Sequence, residues 1–127
     1  LATGETHTVR EFAETSFNEV GIKLEWQGKG AEEKGIIKEI NWDYANQLLE
    51  VGNSKSAYKY SFSNKLKKGR TVVEIDPDYY RPTEVDLLVG NPAKAKKVLG
   101  WKAKTTFNQL VKIMIRADLE KVMLRGF

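Results

Sequence analysis

Arg81 and Glu84 stand three residues apart in the run Tyr79-Tyr80-Arg81-Pro82-Thr83-Glu84-Val85-Asp86. An arginine guanidinium can clamp phosphate oxygens with two parallel hydrogen bonds. Pro82 disfavours helical backbone at Arg81, so Arg81 is expected to be extended and to project its side chain away from the local chain. If Pro82 starts a helical turn, Arg81 and Glu84 share a face. The arginine could then hold a pyrophosphate while the carboxylate holds ribose hydroxyls. The same spacing also describes an ordinary surface ion pair, and spacing alone leaves both readings open.

Other chemistries find fewer residues. The sequence has no cysteine, which removes disulfides, thiolate catalysis and cysteine metal sites from these 127 residues. His7 is the one histidine, so a histidine-built metal site within one chain is not expected. Gly28, Gly30 and Gly35 lack the spacing and the strand–turn–helix setting of a dinucleotide-binding turn. No tyrosine has a lysine four residues later: Tyr44, Tyr58, Tyr60, Tyr79 and Tyr80 are followed at that offset by Leu48, Phe62, Asn64, Thr83 and Glu84. His7, just ahead of a helix, reads as a capping or surface residue. Arg10 has an i,i+4 partner in Glu14. Trp101, after Gly100, reads as packing, and Trp26 and Trp42 are open between packing and sugar stacking. Between Ser54 and Arg70 the basic residues Lys55, Lys59, Lys65, Lys67, Lys68 and Arg70 interleave with Tyr58, Tyr60 and Phe62. That composition suits a single-strand nucleic-acid platform, but also an ordinary exposed hairpin, and a partner-protein or oligomer surface is the preferred reading over nucleic acid.

The elements that must position these residues can be read from local signals. Thr8 and Glu11 have capping-box spacing, and Val9, Phe12, Ala13, Phe17 and Val20 follow on one helical face until Gly21. Ile22, Leu24 and Trp26 alternate with polar residues, as in a half-buried strand broken at Gly28-Lys29-Gly30. Residues 35–39 suit a short strand, and 41–51 a short helix or loop. Tyr58, Tyr60 and Phe62 suit a surface strand. Residues 65–70 read as a basic turn, and 71–76 as a strand stopped by Pro77. Asn91 is expected to cap a helix with Pro92 in its first position, and Gly100 to close it. Thr106 and Gln109 open a final helix whose Phe107, Leu110, Val111 and Met114 form a core stripe. Ile113, Ile115 and Leu119 widen that stripe, which predicts burial on more than one side.

The length allows one domain with a real core. Thirteen aromatic residues (Trp 3, Tyr 5, Phe 5) argue against disorder throughout. A net charge of +4 suits an anionic ligand without demanding nucleic acid. No apolar run is long enough to span a bilayer, and no signal peptide opens the chain, so a cytosolic protein is expected. The opening Leu1-Ala2-Thr3-Gly4, without a methionine, reads as the end of a strand, with an upstream domain missing or trimmed.

Several segments resemble the GDP-mannose 4,6-dehydratases, a branch of the extended short-chain dehydrogenases that act on nucleotide sugars. These are Ala2-Thr3-Gly4-Glu5-Thr6-His7-Thr8-Val9-Arg10-Glu11-Phe12, Gly21 to Gly28, Asp76-Pro77 with Tyr79 to Asp86, Gly90 to Lys96, and Leu99-Gly100-Trp101-Lys102. The resemblance runs over residues 1–38 and 71–120. It implies that 1–127 is the carboxy-terminal nucleotide-sugar-binding lobe, a small mixed α/β unit without its Rossmann domain. It implies that Arg81 holds the nucleotide diphosphate and Glu84 the ribose. It also implies an NADP-dependent lyase that converts GDP-mannose to GDP-4-dehydro-6-deoxy-mannose on the way to fucose and rhamnose-type sugars. NADP and the catalytic groups would belong to the amino-terminal domain, so this chain alone is expected to be inactive. The family further implies a homo-oligomer. Two departures stand out: residues 39–70 are longer than the family's hairpin, and Asn91 replaces a more usual Asp. The alternatives are the lobe of a related nucleotide-sugar epimerase or dehydratase, and a stand-alone basic binding module.

Overall fold

The computed structural model describes residues 2–50, 66–81 and 88–125. The described elements run α1 (Val9–Glu19), β1 (Ile22–Gln27), β2 (Lys34–Ile40), α2 (Trp42–Glu50), β3 (Thr71–Glu74), α3 (Ala93–Leu99) and α4 (Phe107–Arg125). This is a small mixed α/β arrangement in which β1, β2 and β3 form an antiparallel sheet in that order. The expected strand at Tyr58, Tyr60 and Phe62 lies outside the described residues, as does most of the basic stretch.

Local chemistry sets the helix ends. Thr8 accepts from the Glu11 backbone N–H at 3.0 Å, and Glu11 accepts from the Thr8 N–H at 2.8 Å. The reciprocal pair satisfies donors that have no partner inside the helix. Gly21 follows the end of α1 with φ 81°, a backbone conformation that disfavours a side chain. Asn41 caps α2 by accepting from the Tyr44 N–H at 3.1 Å, and the described part of the 41–51 stretch is the helix Trp42–Glu50. Thr106 and Gln109 make both bonds of a second capping box, at 2.9 and 3.3 Å. The start of α3 differs from expectation by one residue: Pro92, with φ −83° and ψ 0°, occupies the cap position and Ala93 the first helical one. Asn91 still does the capping chemistry, because its Oδ1 accepts from the Ala93 N–H at 2.9 Å.

The sheet has one covered face. Leu24 pairs with Ile37, Trp26 with Gly35, and Gly35 with Val73. Cross-strand partners lie on the same side of the pleat, so Ile22, Leu24, Trp26, Gly35, Ile37 and Val73 gather there. α1 packs against β1 and also against α4. Among the described residues the fully enclosed apolar side chains are Ile22, Ile37 and Val111.

Two expectations about faces are corrected. Val9 is 85% exposed and Phe12 39% exposed, so the covered face of α1 is carried by Ala13, Phe17 and Val20. On α4, Val111 is buried and Ile115, Leu119 and Val122 are half-buried at helical spacing. Leu110, Ile113 and Met114 are instead 49%, 59% and 43% exposed. The helix was expected to be buried on more than one side. Among the described elements only α1 packs closely on it, and α1 covers only one stripe.

Candidate functional site

The segment that carries Arg81 is set by the end of the sheet. β3 stops at Glu74, and Asp76 opens a 3-10 turn over Pro77–Tyr79. The Asp76 carboxylate accepts from the Asp78 N–H at 2.9 Å. Proline at the first position supplies the required φ and needs no backbone donor. The Tyr80 N–H closes the turn on the Pro77 carbonyl at 3.3 Å. The strand therefore ends two residues earlier than the expected 71–76, and Pro77 opens the turn that follows it.

Tyr80 resumes an extended course, with φ −71° and ψ 122°. Its hydroxyl lies 3.5 Å from the point where a Cβ on Gly30 would stand, so it reaches the turn between β1 and β2. Arg81 follows and is exposed. Among the described residues its guanidinium has no carboxylate partner. Glu84 lies outside the described residues, and with it the question of a shared face. A shallow cleft of about 530 Å³ adjoins this turn, lined by Ala31, Glu32, Lys34, Glu74, Ile75 and Pro77.

Other residues singled out by type take different places. Arg10 does not pair with Glu14. Its guanidinium bonds the Glu33 carboxylate and lies over the Trp26 ring, 5.3 Å from the centroid. Glu14 accepts instead from the Trp26 indole N–H at 2.6 Å. An i,i+4 pair loses here because α1 lies on β1, which offers both side chains nearer tertiary partners. Trp26 is thereby a packing residue, held against Gly35, whose added Cβ would lie 3.2 Å from the indole. Trp42 is 37% exposed at the start of α2.

His7 is not a simple cap. Its ring stacks on Phe107, with centroids 3.9 Å apart and planes 12° apart. Its Nε2 is 3.7 Å from Glu5 and its Nδ1 3.5 Å from Glu11. His7, Glu5, Trp101, Lys102, Phe107 and Leu110 help to line a second cleft of about 350 Å³. Sequence reasoning missed this cleft because its walls come from opposite ends of the chain. Trp101, read as packing, is half-buried in that wall.

The glycine pattern offers no dinucleotide cradle. Gly28 and Gly30, with φ 83° and 59°, turn one antiparallel strand into the next rather than a strand into a helix. Gly28 and Gly30 therefore do not form a dinucleotide-binding turn. Among the described residues no group of three or more acidic or histidine side chains is placed to hold a metal ion. Among them, too, no helix is long and apolar enough to cross a membrane.

The chain matches the family model described as GDP-mannose 4,6 dehydratase over residues 1–114. It is 43% identical over 122 residues to the GDP-mannose 4,6 dehydratase of Dictyostelium discoideum, covering 96% of this chain and 26% of that protein. It is 39% identical over 121 residues to the GDP-mannose 4,6-dehydratase of Vibrio cholerae serotype O1, covering 95% and 28%. The corresponding human protein is 38% identical over 120 residues, covering 94% and 25%. The chain thus spans about a quarter of the length of the curated relatives it matches.

Proposed function

This chain belongs to the GDP-mannose 4,6-dehydratase family, and we propose that within it the chain is the part that binds the nucleotide of GDP-mannose. The observation that carries this reading is Arg81, an exposed guanidinium without a carboxylate partner among the described residues. It stands at the mouth of a turn built by Asp76 and Pro77. An arginine guanidinium is suited to two parallel bonds with a diphosphate. Glu84 would take the ribose hydroxyls.

The chemistry on the mannose, and the NADP it uses in this reading, belong to a Rossmann domain supplied by the remaining polypeptide. Two features support that division. The described residues contain no cofactor turn, and the chain matches only about a quarter of its relatives' length. The exposed stripe Leu110, Ile113 and Met114 on α4 is where the remaining polypeptide would cover this lobe. Alone, the chain would bind without turning over. An assembly of several copies follows the family and is proposed on the same footing.

The test is Arg81→Ala in the dehydratase that carries this chain. Loss of a charge-assisted contact worth about 1.5–3 kcal/mol raises the KM for GDP-mannose roughly 10- to 100-fold. An unchanged KM would remove Arg81 from the site.

A further inference from the structure

The cleft of about 350 Å³ beside His7 is built from distant stretches of the chain. Glu5 and His7 come from the segment before α1, and Lys96 from α3. Trp101 and Lys102 come from the link between α3 and α4, and Phe107 from the start of α4. Arg81 is not among the lining residues. The volume lies at the small end of the range for ligand pockets, roughly 300–1,000 Å³. One part of the lining is aromatic: Trp101 and Phe107 are half-buried, and the His7 ring lies flat on Phe107. The other part is cationic. Residues 87–117 contain no Asp or Glu. Among their cations, Lys112 and Arg116 pair with Glu19. Lys94, Lys96, Lys97, Lys102 and Lys104 have no ion-pair partner among the described residues. Lys96 and Lys102 line the cleft, and the other lysines add to the positive potential of the segment. The acid on the lining, Glu5, faces His7 Nε2 at 3.7 Å.

From this we propose that the cleft is a ligand site for a phosphate monoester that carries a flat ring. Lys96 and Lys102 together suit a dianion. A lysine ammonium is a compact point charge without the planar fork that matches a carboxylate, so the pair favours charge over shape. The aromatic wall takes the ring, which gains packing there that a bare inorganic anion cannot. Glu5 is occupied by His7 and so opposes the anion less than an unpaired carboxylate would. The site does not depend on the reading of Arg81 and has no part in the chemistry on the sugar.

The experiment is calorimetric titration of the full 127-residue chain with phenyl phosphate, AMP and inorganic phosphate, with circular dichroism to establish that each variant is folded. Inorganic phosphate should bind at least about 5-fold more weakly than phenyl phosphate, because only the ester offers a ring to the wall. Lys96→Gln and Lys102→Gln should each weaken phenyl phosphate roughly 3- to 5-fold, the scale of an exposed ion pair. Lys97 does not line the cleft, so Lys97→Gln removes the same charge and should change binding by less than about 2-fold. Phenyl phosphate should shift the Trp101 indole N–H resonance more than those of Trp26 and Trp42. AMP presents the same phosphate on a nucleoside. Tighter binding of AMP, with the same dependence on Lys96 and Lys102, makes the ring a nucleobase, and weaker binding makes it a simple aryl group. Arg81→Ala should leave phenyl phosphate binding unchanged, which separates this site from the reading of Arg81. Absence of binding, or equal binding of inorganic phosphate and phenyl phosphate, would overturn the inference. So would equal losses from Lys97→Gln and Lys96→Gln, because they would show a diffuse basic surface in place of a site.

Discussion

The indole N–H of Trp26 donates to the Glu14 carboxylate at 2.6 Å, joining the middle of α1 to the strand beneath it. Both residues are half-buried, and Arg10 lies over the same indole ring while it bonds Glu33. One aromatic side chain therefore organises two charged residues of the helix and fixes how α1 sits on the sheet that leads to Arg81.

Glu14→Ala should cost about 1.5–3 kcal/mol in urea unfolding, the range for a hydrogen bond to a charged group. Trp26→Phe removes the same bond from the other side and also loses packing area. In the double variant, Glu14→Ala should cost less than it does in wild type. Strict additivity of the two changes would show that the bond contributes nothing of its own.

Gly35 allows the indole to lie where it does. A Cβ there would stand 3.1 Å from the Val73 Cβ and 3.2 Å from the Trp26 ring, inside a buried position. Gly35→Ala should destabilise the protein by about 1–3 kcal/mol through overpacking. Gly28→Ala should be worse, because its Cβ would meet the Glu32 carbonyl oxygen at 2.4 Å in a backbone already at φ 83°. Thermal unfolding of the two variants would show the order. A Gly28→Ala protein as stable as wild type would contradict the hairpin geometry.

Ile37 is 1% exposed and Ile113 is 59% exposed, so the two isoleucines should respond differently to truncation. Ile37→Ala should cost about 2–5 kcal/mol. Ile113→Ala in the 127-residue chain should stay within about 0.5 kcal/mol of wild type. If, as proposed, a longer polypeptide covers that stripe, Ile113→Ala should become destabilising in it. Denaturant midpoints measured on both polypeptides separate the cases.

Glu19 shows how the two helices are held at one end. Its carboxylate sits 3.3 Å from Arg116 and 3.8 Å from Lys112, both on α4. An acid in the last turn of α1 faces the negative end of the helix dipole, and the two cations offset that. Glu19→Gln should cost about 0.2–1 kcal/mol, with the difference from wild type shrinking as salt is raised. A salt-independent loss would point to packing instead of charge.

What the sequence determined by itself was local. The capping boxes at Thr8–Glu11 and Thr106–Gln109 and the alternation through Ile22, Leu24 and Trp26 depend on residues a few positions apart. So do the turn at Pro77 and the left-handed Gly100, and backbone geometry alone makes those interactions readable. Arg81 was legible for the same reason, as a residue type in a short run. The tertiary structure decided whatever required distant segments to meet. Arg10 left Glu14 for Glu33, His7 found Phe107 across the chain, and α4 covered Val111 while leaving Ile113 exposed. Helical periodicity says that a face is apolar, but it does not say which neighbour lies against it.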